Sequence, residues 1–598
     1  MKTFFASLGG AVVGSILGLA LLVFAGFALV QFAVGDAMRS AGGPGVSQED
    51  GDPIVLTLDL RNGYADQSPT SGPALLFGGG TGFTDLILRI EAAALDDQVK
   101  GLFVRASEMG LSSSQAEELR DVFQTFQAAD KFIITHSQGM FSGGVSAYRA
   151  MAPSDEIWVQ PGTSVVAGGL VLETIFLKNL FENLSITPEF EAFYEFKSAA
   201  NTFEEDTYTD AHRSNITQLA ESFWTISLGD IASDRGLTLG QARESLEASP
   251  ITAAQMVERG LADELGWPED AFEAALARGG EDAIDLSLDM YVAPTSDFGS
   301  PVIAIVGGQG TIVTGGTGGS LFQEGSAFAS DTIASAILEA GRDEDVEAIV
   351  FRIDSGGGSP SASDQIWRAV ERVQTEEEKP VIVSMASAAA SGGYYVAAGA
   401  DWIVANRNTI TGSIGIFGGK FAVQDGLARI GINAESIKVG GPFAGALSTT
   451  EALTDEQRSR FRAYLAQGYD RFTGLVADGR GLTAEQIDEV ARGRVFSGAD
   501  AYEVGLVDEL GGLTSAIAKA RELAEIEPDA DVRLMTYPQS ISGFPFVGAS
   551  TGATAADLQA IGRLAALVND PEIQALMSEV EAMRDLRVQA RAPTFIER

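Results

Sequence analysis

Short apolar runs alternate with longer amphipathic stretches along most of this chain. "VIAIV" at Val302, "EAIVFRI" at Glu347 and "PVIVSMAS" at Pro380 are compact and rich in β-branched residues, as buried strands are. Between them, "SDQIWRAVERVQTEEE" places Ile366, Val370 and Val373 on one face of a helix. Strand, helix, strand in this order predicts an α/β protein with a parallel sheet and right-handed crossovers.

The pattern occurs twice. "GDPIVLTLDL" at Gly51 is answered by "GSPVIAIVGG" at Gly299, and "GLFVR" ending at Arg105 by "AIVFR" ending at Arg352. "DRGLT" at Asp234 returns as "GRGLT" at Gly479, and "GLADELG" at Gly260 as "GLVDELG" at Gly505. The spacing holds at about 245 to 248 residues, so the body reads as a tandem duplication. The expected division is an anchor and tether over 1–50, a first repeat over 51–298, a second over 299–526, and a tail over 527–598. Residues 270–298, rich in alanine, glycine and acidic groups, read as the connection between repeats.

Ahead of the repeats, Phe4 to Val34 carries no charged residue, enough to cross a hydrocarbon core about 30 Å thick. A cleaved signal peptide has an apolar stretch of only about 7–15 residues, so an uncleaved transmembrane anchor is expected. Lys2 before the run and Asp36 after it place the amino terminus in the cytoplasm and the body outside. Residues 38–53 form a glycine-rich polar tether.

Composition narrows the chemistry. A formal net charge of −42 over 598 residues repels phosphate backbones and argues against nucleic acid as a partner. The absence of cysteine excludes thiol proteases and cysteine metal sites. There are two histidines, so any Ser-His-Asp triad must use His136 or His212. His136 lies in the strand-like "KFIITHSQG" and reads as structural; His212, in the polar "TDAHRSN", is expected to face solvent. Neither belongs to a metal-binding spacing, and no metal or cofactor is expected.

"IDSGGGSP" at Ile353 contains the Asp-Ser-Gly of an aspartic-protease arm, but the first repeat offers "RASEMGLS" there, without a second such carboxylate. A strand running into three glycines fits a different task, presenting backbone N–H groups to an oxyanion, or else a plain tight turn. "ASAAASGGYYVAAGAD", residues 386 to 401, follows the strand "KPVIVSMAS" and leads into helical sequence. Of its serines, Ser391 precedes two glycines at the strand-to-helix junction, where a hydroxyl projects; Ser387 sits among alanines. Ser391 is therefore the candidate nucleophile. Without histidine its base can be a lysine whose pKa is lowered by burial. Of nine lysines, Lys197 is the one enclosed by aromatic and small residues, in "FEAFYEFKSAANTF"; a surface pairing with Glu195 or Glu191 is the alternative.

"YEFKSAANTF" in the first repeat, with "SMASAAASGGYYVAAGAD" and "TGSIGIFGG" in the second, behind a membrane anchor, resembles the long form of signal peptide peptidase A, also called protease IV, of peptidase family S49. The resemblance spans nearly the whole chain. It implies tandem Clp protease/crotonase-like β-β-α superhelix domains and a serine endopeptidase with a Ser/Lys dyad that degrades remnant signal peptides. Carried over, Ser391 is nucleophile and Lys197 general base. The oxyanion hole is the N–H of Gly392 with that of Gly357, or of Gly358, since the family commonly has proline where Gly356 stands. It further implies apolar signal-peptide substrates, membrane lipid around residues 4–34, a homotetramer, and a bacterial inner membrane with the catalytic body in the periplasm. Aligning "TDAHR" with "TDEQR" puts Pro442 at the position of Lys197, while Ser142 matches Ser391, so one dyad per chain is expected. The competing readings are a crotonase-like acyl-CoA enzyme, which gives no reason for an anchor, and a non-catalytic membrane scaffold.

Overall fold

The computed structural model describes residues 51–61, 63–68, 81–106, 111–140, 144–294, 299–316, 328–527 and 530–538. The apolar segment 4–34, most of the tether, Ser142 and the chain beyond 538 lie outside the described residues. No helix among the described residues is long and apolar enough to cross a membrane.

The first repeat runs β1 (Ile54–Asp59), α1 (Phe83–Leu95), β2 (Val99–Arg105), α2 (Ser113–Ala128), β3 (Phe132–Ser137), β4 (Glu156–Val159), β5 (Thr187–Phe193), α3 (Asp210–Asp234), β6 (Glu264–Leu265), α4 (Pro268–Gly279) and β7 (Ile284–Ser287). The second runs β8 (Val302–Gln309), β9 (Ile312–Val313), α5 (Ser330–Arg342), β10 (Val346–Ser355), α6 (Pro360–Glu376), β11 (Val381–Ala390), α7 (Gly392–Ala397), β12 (Trp402–Ala405), β13 (Ile410–Gly412), β14 (Ile416–Ala422), α8 (Asp455–Arg480), β15 (Val495–Ser497), β16 (Glu509–Leu510), α9 (Leu513–Leu523) and β17 (Arg533–Tyr537).

Each repeat builds a parallel sheet in the same order. In the first it is β6-β4-β3-β2-β1-β7, parallel throughout. In the second, β16-β12-β11-β10-β8-β17 follows the same path, and β13 adds to the end of β11 with β15 antiparallel beside it. Helices cover both faces, which is why the strands are apolar on both sides. In the second sheet Val302, Ala304, Ile349, Phe351 and Val383 turn toward α5 and α6, while Ile303, Ile305, Ala348, Val350 and Ile382 meet α9. Helix α6 is capped by the Ser359 hydroxyl with Pro360 in its first turn, and Ile366, Val370 and Val373 are fully buried, as the spacing predicts.

Two expectations about boundaries change. Residues 270–298 are more than a connection, because Ala271 and Ala275 of α4 pack into the first sheet and β7 pairs with β1. Likewise β17 lies beyond 526, yet pairs in parallel with β8 from Val302 to Val306. Both segments look like linker because small or sparse apolar residues carry little periodic signal, and each strand's partner is more than two hundred residues away in the chain.

Both repeats fall within one compact unit, Pro53–Ser540. They are joined by an antiparallel pair in which β5 of the first lies along β14 of the second, from Phe193↔Ile416 to Thr187↔Ala422. A buried charge cluster joins them again. Arg352 of β10 donates to Asp66 at 2.8 Å and Glu118 at 2.8 Å, and Glu118 also accepts the Leu513 N–H at the start of α9. Nearby, Arg407 pairs with Glu117 at 2.6 Å and Asp230 at 2.7 Å. Taking these charges out of water is offset only by this dense mutual hydrogen bonding.

Candidate active site

Ser391 sits between the last residue of β11 and the first of α7, with φ 55° and ψ −117°. A serine held at positive φ costs about 1–3 kcal/mol and persists only where its surroundings impose it. They do so here: its N–H donates to Gly412 O of β13 and its carbonyl accepts from Tyr395 N, both at 2.9 Å. The sharp turn leaves the hydroxyl projecting from the junction, as the sequence predicts.

The glycines beside it are required by backbone proximity. A Cβ on Gly393 would lie 2.7 Å from Ser355 O, and one on Gly392 would lie 2.7 Å from Ser363 Oγ and 3.0 Å from Gly358 N. From the other side, a Cβ on Gly357, whose φ is +107°, would lie 2.8 Å from both Gly392 N and Ser391 Cβ. The "DSGGGSP" turn therefore presses its backbone against the Ser391 junction. Gly357 donates its N–H to Ser355 Oγ at 3.1 Å. Its carbonyl accepts from Ile312 N of β9, and Ser359 N donates back to Ile312 O, which fixes the turn.

Lys197 arrives from the other repeat, just past β5, and is 5% exposed. Its Nζ donates to Ser391 Oγ at 3.0 Å, Ser413 O at 2.9 Å and Ser413 Oγ at 2.9 Å. Burial alone pulls its pKa from 10.5 to about 7, so the amine is substantially neutral near neutral pH. The surface alternative does not occur: Glu195 pairs with Arg492, and Glu191 with Arg458 and Arg462. Ser413 was not singled out from the sequence, although it lies in the quoted "TGSIGIFGG". Its φ of 50° and its N–H bond to Arg494 O turn carbonyl and hydroxyl toward the lysine.

The remaining candidates are committed elsewhere. Ser387 is on β11, its hydroxyl 2.6 Å from Ser112 Oγ of the first repeat. Asp354 accepts the Ala388 N–H, and burial with the nearby Asp66 carboxylate pushes its pKa up; Asp66 itself is bound by Arg352. His136 is buried on β3 with Nε2 3.2 Å from Gly266 O. His212 is a correction: it does not face solvent but is 1% exposed, edge-on to Tyr208 and Phe176. Asp210, Arg213 and Ser214 beside it are exposed, whereas His212 lies on the inward face of α3 with the buried Asn215, and its aromatic partners come from outside the helix. Lys438, the lysine closest in sequence to Pro442 of the second repeat, is exposed and pairs with Glu451.

A sequence profile described as Peptidase family S49 matches this chain twice, at residues 125–279 and 373–527. The chain belongs to peptidase family S49. The two matches follow the repeat, so it is a long, duplicated member. "Protease 4" of Salmonella typhi is 30% identical over 74% of this chain and 72% of that protein. "Protease 4" of Haemophilus influenzae is 29% identical over 75% and 74%, and "Serine protease SPPA, chloroplastic" of Arabidopsis thaliana 27% over 84% and 73%. Among solved structures, ClpP1 from Listeria monocytogenes matches at 17% identity over 36% of this chain and 94% of that one, with a TM-score of 0.22, too low to bear on this fold. This S49 chain is thus a serine protease of mixed α/β fold.

Proposed function

We propose that this S49 protease is a membrane-anchored endopeptidase in which Ser391 and Lys197 form a Ser/Lys dyad, and that it degrades apolar signal-peptide fragments after their release from precursors. The observation that carries the reading is the 3.0 Å contact between Lys197 Nζ, buried and with its pKa lowered to about 7, and Ser391 Oγ. Lys197 takes the hydroxyl proton as Ser391 Oγ bonds to the scissile carbonyl carbon. The negative charge on the carbonyl oxygen is held by the N–H of Gly392 with that of Gly357, which leaves Ser355 Oγ to meet it; Gly358 N–H is the alternative donor. The protonated lysine gives its proton to the departing amine as the C–N bond breaks. Lys197, neutral again, then deprotonates a water that attacks the acyl carbon; the bond from that carbon to Ser391 Oγ breaks and Lys197 returns the proton to Ser391 Oγ. No step draws on a metal or nucleotide.

The apolar run 4–34 supports a substrate met at a membrane. The same reading includes Clp protease/crotonase-like superhelix domains, a single-pass anchor in a bacterial inner membrane, a periplasmic body and a homotetramer. In detergent, the full chain should cleave a quenched fluorescent apolar peptide with small residues at the bond. Ser391→Ala should lower kcat/KM by about a thousandfold or more and abolish labelling by a serine-reactive fluorophosphonate. Activity near the wild-type level in a folded Ser391→Ala protein refutes the assignment.

A further inference from the structure

Lys197 and Ser391 belong to different repeats, so their 3.0 Å contact needs something to set it. Between α8 and β15 the loop Ala491–Arg494 interlocks with the strand end that carries the lysine. Arg492 lies over the Tyr194 ring at 4.8 Å and pairs with Glu195 at 3.0 Å. Arg494 lies over the Phe196 ring at 4.0 Å. Between them, Gly493 meets the lysine's own backbone: a Cβ there would lie 2.4 Å from Lys197 N, 2.5 Å from its Cα and 2.6 Å from its Cβ. Gly493 has a φ of +84°, which a side chain also disfavours.

The same loop holds the opposite wall. Gly493 N donates to Ile414 O at 2.8 Å, and Arg494 O accepts from Ser413 N at 2.7 Å. Ser413 supplies two of the three acceptors of Lys197 Nζ. One loop thus fixes both the lysine's backbone and the residue that receives its amine. Gly415 completes the contact, since a Cβ on it would lie 3.0 Å from Gly493 N and Cα and 2.8 Å from Phe193 O.

The first repeat supplies a comparison. The hydroxyls of Thr252 and Ser497 cap matching helices, Ala253–Glu258 and Gly498–Glu503. Five residues before each cap, the second repeat has Arg492-Gly493-Arg494 where the first has Glu247-Ala248-Ser249. The arginines and the glycine occur only in the repeat that receives a lysine.

We propose that Arg492-Gly493-Arg494 is the positioning device of the S49 site: Gly493 permits the close approach that seats Lys197, and the two arginines lock Tyr194 and Phe196, the aromatic residues just ahead of it. This rests on Lys197 being the general base. The charged groups at the clamp are Arg492, Arg494, Glu195 and Asp488, with Tyr194 and Tyr469 alongside; Arg492 spans Glu195 and Asp488. None of them shifts Lys197, which is held near neutrality by burial. A side chain at 493 displaces the lysine's backbone and admits water, which returns the amine toward its ordinary pKa.

The test is the pH profile of kcat/KM for Gly493→Ala in the full chain in detergent, beside Gly481→Ala. Gly481 also has positive φ, +62°, but no atom within 4 Å of an added Cβ. Gly493→Ala should lose about tenfold or more at pH 7, move its acid limb up by about one pH unit or more, and recover toward wild type at about pH 9.5. Gly481→Ala should keep the wild-type limb. Should Gly493→Ala not fold, Arg494→Ala should move the limb in the same direction by a smaller amount. A limb that stays at the wild-type midpoint in a folded Gly493→Ala or Arg494→Ala protein overturns the proposal. A wild type without this limb, with Lys197→Met still active, instead overturns the dyad.

Discussion

Replacing Lys197 by methionine tests the electrostatics of the S49 site without relying on turnover. Burial lowers the amine from 10.5 to about 7, a penalty of about 4–5 kcal/mol against the charged form at acid pH. In the unfolded chain the lysine keeps its proton up to about pH 10; in the folded protein it has released half of it by pH 7. Between these values the unfolded state binds more protons, so wild-type stability rises with pH relative to the variant. From pH 7 to pH 9 the difference amounts to about 2 kcal/mol in favour of wild type. Methionine also leaves Ser413 O and Oγ without their donor, but that cost does not vary with pH and drops out of the trend. The assay is urea denaturation of full-length wild type and Lys197→Met in the same detergent at pH 7, 8 and 9, comparing the differences in unfolding free energy. Parallel curves over this range mean that Lys197 titrates near its ordinary value, and the argument for a neutral base fails.

Two further outcomes follow from the buried groups. Arg352→Met strands the Asp66 and Glu118 carboxylates, each under 4% exposed, and should destabilise the body by about 3–5 kcal/mol in thermal or urea unfolding. Adding Asp66→Asn and Glu118→Gln should recover most of that loss, and no recovery would show that the charges are not its cause. His212, held by burial at about 4 instead of 6.5, must stay neutral in the fold, so it lowers stability progressively as pH falls from about 6.5 to 4. His212→Leu should therefore be more stable than wild type by about 2 kcal/mol at pH 5 and show a smaller gain at pH 7. An equal difference at both values is the contrary result.

Much of this protein is written in local sequence. The apolar strands, the stripe Ile366-Val370-Val373 and the strand-to-glycine junction at Ser391 depend on neighbours a few residues apart, where periodicity and turn chemistry operate, and the duplication shows as such short motifs returning at a constant spacing. The aromatic enclosure around Lys197 is local as well, and with so few histidines and lysines it narrows the base to one strong candidate. The expectation of one dyad per chain, divided between the repeats, also comes from sequence, because Pro442 stands where a second lysine would be.

Other features exist only once distant segments meet. Strands β7 and β17 are recognisable by their pairing with β1 and β8, not by their own residues. His212 becomes buried because Phe176 reaches it from outside its helix. The alignment of Lys197 with Ser391 depends on Ser413 and on Gly493, which is 296 positions further along the chain than the lysine. A glycine's local sequence does not say which backbone will lie against it. Sequence alone singled out Ser391 and Lys197 as the candidate pair; the tertiary structure decided how closely they approach and how dry the amine becomes, because distance and desolvation are properties of packing between segments.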